Sequence, residues 1–223
     1  MTTRGEHARQ ALVEAAERLF AERGIESVSL RDISAAAGQR NHSAAQYHFT
    51  DRAGLVAAVF DHRMSDVNRR RHRLLDDLET DGRADDLLAL VDATIRPLVE
   101  VVAETDGWYA RFLVRTRWDA FAQQVLADVP ALSSFRRAIH LIEEVLDDAS
   151  DIRFDRIDQM STLFIGTIAG WEWRRHSGRP VPTPGALCAD LAATSHAVLL
   201  APTPADATTT TTDASSDLTR RPR

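Results

Sequence analysis

The stretch Ser29-Leu-Arg-Asp-Ile-Ser-Ala-Ala-Ala-Gly-Gln-Arg-Asn-His-Ser-Ala-Ala-Gln-Tyr-His-Phe49 decides how the chain is read. Ser29 is placed to cap a helix, with Asp32 three residues on in the position of a capping-box acid. Leu30, Ile33 and Ala37 recur at helical spacing and give that helix one buried stripe. Gly38 follows the last periodic residue, where a left-handed terminal conformation costs glycine little. Ser43, with Gln46 three residues later, repeats the cap signature and opens a second short helix, with Phe49 as its apolar pin. Ser34 lies one turn before Gly38, and its small side chain lets the second helix cross closely. Two capped helices joined by a glycine turn are the grammar of a helix-turn-helix.

Working outward, Thr3 and Glu6 form a capping box for a first helix over 4–23. Leu12, Ala16, Leu19 and Phe20 supply its buried face, and Gly24 ends it. On the other side, Thr50-Asp51 caps a longer helix whose Leu55, Val59 and Met64 share a stripe. The first 60 residues thereby resemble the TetR family of transcriptional regulators. The resemblance rests on Leu30-Arg-Asp-Ile33-Ser34, Ala37-Gly38, a short helix ending Tyr47-His48-Phe49, and a fourth helix containing Leu55. It implies an all-α fold of about nine helices. A three-helix DNA-binding domain over 1–52 would precede a helical effector-binding and dimerisation domain over 53–201. Two departures stand out. Ten residues separate Gly38 from Phe49, one more than family members commonly have, so the turn is lengthened. Gln46 occupies the place of the family's usual tyrosine, which moves a phosphate contact to Tyr47 or removes it.

With 223 residues, 44% of them hydrophobic, the chain can bury a substantial core. No apolar run approaches the ~20 residues of a membrane-spanning helix. Met1 to Glu6 carry no apolar signal region, so a cytoplasmic protein is expected. The single cysteine, Cys188, falls in an apolar helical stretch and reads as a buried structural thiol. The net charge of −6 argues against a generally sticky nucleic-acid coat. Residues 1–60 hold seven arginines against seven acids, so the acidic excess lies entirely in the remainder. The run Arg69-Arg70-Arg71-His72-Arg73 reads as a solvated helix face flanked by Asp66, Asp76 and Asp77.

Beyond residue 83 the pattern stays helical. One helix covers 83–104 and is open to kinking at Pro97. A segment over 108–128 is rich in aromatics and arginine, and periodicity resumes over 132–148. Residues 153–176 carry two apolar faces, Ile157, Phe164, Ile168 and Trp171 on one and Leu163, Gly166, Gly170 and Trp173 on the other. A helix apolar on two sides needs partners on both. Thr183 caps a last helix with Pro184 at its first position and a stripe of Leu187, Leu191, Thr194 and Val198. From residue 202 onward, threonine, proline and arginine replace apolar periodicity, and a disordered tail over 202–223 is expected.

The family resemblance implies a homodimer on double-stranded DNA, most often a repressor, released from an inverted-repeat operator by a small-molecule effector. Arg40, Asn41, His42, Ser43, Ala44 and Gln46 are the candidates for base contacts, since arginine reads guanine, and asparagine or glutamine reads adenine. Ser29, Tyr47, His48 and Arg52 are the phosphate candidates at helix ends. Trp108, Phe112, Arg115 and Trp118 are the candidate effector lining; arginines facing inward there would suit an anionic or carboxylate-bearing aromatic or acyl ligand. Leu163, Gly166, Gly170, Trp173, Leu187, Leu191 and Val198 are the candidate dimer interface. No cofactor or metal is expected: the histidines are scattered, and His42 and His48 lack a third ligand nearby. An enzyme is the rival reading, but the chain has no His-Glu-x-x-His pair, phosphate-binding loop or cysteine pair. A ligand-binding protein that has lost DNA binding is the third.

Overall fold

The capping box predicted at Ser29 forms and starts the helix-turn-helix of the N-terminal head. In the computed structural model, which describes residues 4–39, 44–127, 132–146 and 151–202, the Ser29 hydroxyl accepts from the Asp32 amide at 3.1 Å. Asp32 in turn accepts from the Ser29 amide at 3.0 Å. The Ser29 hydroxyl, which donates to the Asp32 carboxylate at 2.6 Å, and then the Ser29 amide hold that carboxyl below its ordinary value. Helix α2 (Leu30–Ala36) thus packs on α1 (Arg4–Arg23), which takes the predicted span. Gly38 has φ +66°, the left-handed conformation the glycine turn requires. Helix α3 (Ala44–Phe49) follows, and its Ser43 cap, with Arg40, Asn41 and His42, lies outside the described residues.

Ser34 does more than make room. Its buried hydroxyl accepts from the Ala45 amide at 3.0 Å, so α2 caps α3 across the turn. The same hydroxyl donates to the Leu30 carbonyl at 3.0 Å. Removing it strands a buried amide, which costs about 1–3 kcal/mol. Ser34→Ala is therefore expected to lower unfolding free energy by that amount in urea titration, whereas Ser34→Thr, which keeps the hydroxyl, loses less.

Asp51 caps α4 (Arg52–Thr80) through the Gly54 amide at 2.8 Å. Gly54 lies against the end of α3: a Cβ there would sit 2.6 Å from the Phe49 carbonyl oxygen. Glycine therefore sets how closely α4 meets α3.

Helix α4 runs on into the body, where it packs on α5 (Leu87–Glu104) and α8 (Ser133–Leu146). Helix α5 keeps Pro97 buried in its interior. The segment expected as one helix over 108–128 is two, α6 (Tyr109–Trp118) and α7 (Ala120–Leu126), giving ten helices among the described residues. Asp119 explains the break. Its backbone is extended, φ −94° and ψ 113°, and its carboxylate accepts from the Ala122 amide at 2.8 Å, starting a new helix. Helices α9 (Asp151–His176) and α10 (Pro184–Leu199) complete the body, α10 on α5 and α9 on α6. Residues 203–223, and with them nearly all of the expected tail, lie outside the described residues.

The arginine run is not a uniform solvated face. Arg69 pairs with Asp66 and Arg70 with Glu100 and Glu104, as an exposed face would allow. Arg71, however, is only 2% exposed. It takes a core position in the α4 series Phe60, Met64, Val67, Leu75, Leu78, where the helical repeat turns residue 71 inward.

Candidate nucleic-acid interface and central cavity

Helix α3 is short and is held from beneath. Ala45 is buried against α2, and Phe49 is buried at the far end, with the Arg9 guanidinium 5.1 Å from its ring centre. That pinning leaves one face outward. Tyr47 is 85% exposed, Gln46 is exposed beside it, and His48 is half-buried with its ring edge-on to Tyr47 at 5.2 Å. Ala44 is half-buried on the first turn.

Of the predicted contact residues, Gln46, Tyr47 and His48 are brought together on this helix. Arg52 lies half-buried at the start of α4. Ser29 is committed elsewhere, because its hydroxyl donates to Asp32 Oδ2 at 2.6 Å and has no proton left for a phosphate. Arg9 was missed by sequence reasoning. Only the packing of α1 on α3 places its charge at the end of α3.

The four residues expected to line an effector site do not meet in one cavity. Phe112 is fully buried core, its ring 6.2 Å from Phe20 and 6.0 Å from Tyr109. Trp108 is covered by the Arg111 guanidinium at 3.6 Å. Trp118 is 71% exposed, and Arg115 donates to the Ala21 carbonyl at 3.3 Å; both border a shallow notch with Gly24 and Ile25. The reason is register: on α6, residues 109, 112, 113 and 116 face inward.

A cavity of about 310 Å³ lies instead between α4, α5, α6, α7, α8 and α9. Phe60, Met64, Leu98, Leu113, Phe135 and Phe164 are among its apolar walls, and Arg71, Thr116, Gln123 and Arg117 supply polar atoms. It falls at the small end of the ~300–1,000 Å³ of ligand pockets.

Helix α6 also ties the head to the body through two buried carboxylates. Glu17 of α1, 2% exposed, accepts from the Trp108 amide at 2.6 Å and from Arg63 Nε at 3.3 Å. Glu172 of α9, 1% exposed, accepts from the Ala110 and Arg111 amides at 3.1 and 3.2 Å and from Arg111 Nε at 3.0 Å. Together they hold the N-terminal turn of α6, where the helix dipole favours negative charge.

The candidate dimer residues divide. Gly166, Gly170 and Trp173 are exposed and Leu163 half-buried, and a Cβ added at either glycine would meet nothing within 4 Å. Leu187 and Leu191 are instead buried within the chain, because the apolar stripe of α10 packs on α5; Val198 is half-buried. The outward side of α10 carries Ala186, Ala189, Ala193 and Ala197.

A short helix capped by its predecessor and presented on a three-helix head defines a helix-turn-helix protein. Residues 12–59 match the family model described as bacterial regulatory proteins of the tetR family. Over these residues the chain is similar to the TetR family. The HTH-type transcriptional repressor Rv3405c of Mycobacterium tuberculosis and the HTH-type transcriptional regulator Mb3439c of Mycobacterium bovis are each 42% identical over 72 residues. That match covers 32% of this chain and spans 38% of either relative's length. The crystal structure of the superantigen pfit superposes with a TM-score of 0.51 at 21% identity, over 86% of this chain and 90% of that one, a likeness of fold. Among the described residues no helix is long and apolar enough to cross a membrane.

Proposed function

We propose that the chain is a cytoplasmic, homodimeric DNA-binding transcriptional regulator, a repressor released from an inverted-repeat operator by a small-molecule effector. The exposed Gln46-Tyr47 face of the pinned helix α3 is the observation that carries this reading. Residues 1–52 form the reading domain, with Arg40, Asn41, His42, Ser43, Ala44 and Gln46 toward the bases. Tyr47, His48, Arg52 and Arg9 then approach phosphates. Two such heads in a dimer reach successive major grooves about 34 Å apart.

Dimerisation uses the outward faces of α9 and α10 in the body, residues 53–201. The support is the open space around Gly166 and Gly170, since mid-helix glycine costs ~1 kcal/mol against alanine. Close approach of a second copy, with Leu163, Trp173 and the α10 alanines at the seam, offsets that cost.

The central cavity is the effector site in this reading. Leu113, Thr116 and Arg117 of α6 line it, while Phe112 and Arg115 of the same helix touch α1. A ligand that shifts α6 therefore acts directly on the head, favouring whichever head spacing the liganded cavity prefers.

Selection from a random DNA library, followed by affinity measurement at two salt concentrations, tests the proposal. An inverted repeat is expected, with binding that weakens as salt rises. Gln46→Ala and Tyr47→Ala are each expected to weaken it, Gln46→Ala by about 1–3 kcal/mol with relaxed sequence preference. Enrichment of no sequence would sink the regulator reading and favour a ligand-binding protein without DNA.

A further inference from the structure

The apolar stripe of α4 carries a cation in its middle. Arg71 stands between Val67 and Leu75, 2% exposed, and borders the central cavity. Its Nε donates to the Thr94 carbonyl at 3.0 Å and its Nη1 to the Ser134 hydroxyl at 3.0 Å. The guanidinium carbon lies 5.7 Å from the centre of the Phe135 ring. Both acceptors are neutral, and among the described residues no carboxylate pairs with it.

Several other arginines of the body are treated differently, although Arg115 and half-buried Arg175 also donate to backbone carbonyls. Arg111 meets Glu172, Arg63 meets Glu17, Arg96 meets Asp92, and Arg137 meets Asp76 and Glu79. The more deeply buried Arg71 is left to neutral partners, although a buried charge is costly without an opposite one. Burial pulls its pKa down to about 10, which still leaves it cationic at neutral pH. Among the described residues the cavity wall contains no Asp or Glu and adds Arg117 and Arg136, the first already paired with Asp158.

We propose that the cavity takes a hydrophobic carboxylic acid, its carboxylate paired with Arg71 and its hydrocarbon against Phe60, Met64, Leu98, Leu113 and Phe164. This rests on reading the cavity as the effector site. Arg71 is the buried guanidinium of the wall without a carboxylate partner among the described residues, whereas Arg136 is exposed to solvent, so one buried positive charge fits a monoanion where a phosphate dianion would remain undercompensated. The volume selects a medium-length acyl chain or a single ring over a fused polycyclic acid. Arginine forks onto a carboxylate, so the pairing also orients the ligand with its polar end toward α4.

Calorimetric titration of the full chain, free of DNA, with decanoate and 4-phenylbutanoate, each against its own amide, tests the assignment. Saturable binding of one acid per chain is expected, with the acid preferred over the amide by roughly ten- to a hundredfold. Arg71→Met should abolish that preference, and Leu98→Trp, which fills the cavity, should abolish acid binding. Should Arg71→Met fail to fold, the wild-type acid-to-amide ratio and Leu98→Trp still decide. Amides binding as well as acids, affinity untouched in Leu98→Trp, or no binding of either acid would each overturn the proposal. The same preparation is assayed on its selected DNA. Loss of acid binding with DNA binding intact removes only this ligand class; loss of DNA binding with acid binding intact removes only the regulator reading.

Discussion

Glu172→Ala is expected to lower the unfolding free energy by about 3 kcal/mol or more, the scale for breaking a buried ion pair. The carboxylate is 1% exposed and satisfies three donors at the start of α6, so its loss strands Arg111 and two backbone amides. Urea unfolding at neutral pH measures it, with a lowered midpoint at constant slope. A loss below ~1 kcal/mol would mean that the α6 terminus is held by other contacts.

The charge itself is a separate matter, tested by Glu172→Gln. Burial pushes the Glu172 carboxyl up from its ordinary 4.5, against the pull of Arg111 and the α6 amides. A folded-state pKa above the unfolded one means that the folded chain holds the proton more tightly. Stability relative to Glu172→Gln is therefore greatest below the ordinary value and falls as pH rises from 4.5 through the raised folded value. A difference that instead grows with pH across that interval would show the pairing with Arg111 outweighing desolvation.

Phe112→Ala is the second large effect, about 3–5 kcal/mol for truncating a fully buried phenylalanine. The ring sits between Phe20 of the head and Tyr109 of the body, so the loss falls on the seam joining them. Scanning calorimetry is expected to show the variant's head melting ahead of the body, where wild type gives one transition. One transition at nearly wild-type temperature would mean that Phe112 is not the seam. Acid binding in the cavity would be weakened less than DNA binding, because Phe112 is absent from the cavity wall.

Much of the head was legible because its signals are local. The Ser29 capping box, Gly38, the Asp51 cap and the pin at Phe49 depend on residues a few positions apart, where backbone chemistry dictates the outcome. The Asp119 cap was equally local and divides 108–128 into two helices; its hydrogen bond to the Ala122 amide shows the cue that was available. Arg71 also left a trace, since residues 60, 64, 67, 71, 75 and 78 follow one helical stripe in which an arginine interrupts an apolar series. Neighbouring arginines masked it, because composition alone makes such a run look solvated.

By itself, the sequence determined an all-α chain opening on a capped helix-turn-helix, because caps, glycine turns and helical periodicity are read within single turns. It also determined that residues 153–176 carry two apolar faces. Only the tertiary structure decided which stripe is turned inward. It placed Leu187 and Leu191 on α5, Phe112 at the head–body seam and Arg71 on the cavity wall. The physical reason is that burial belongs to pairs of helices distant in sequence. Periodicity reveals that a face needs a partner, but only packing density and the placement of charge choose which partner covers it.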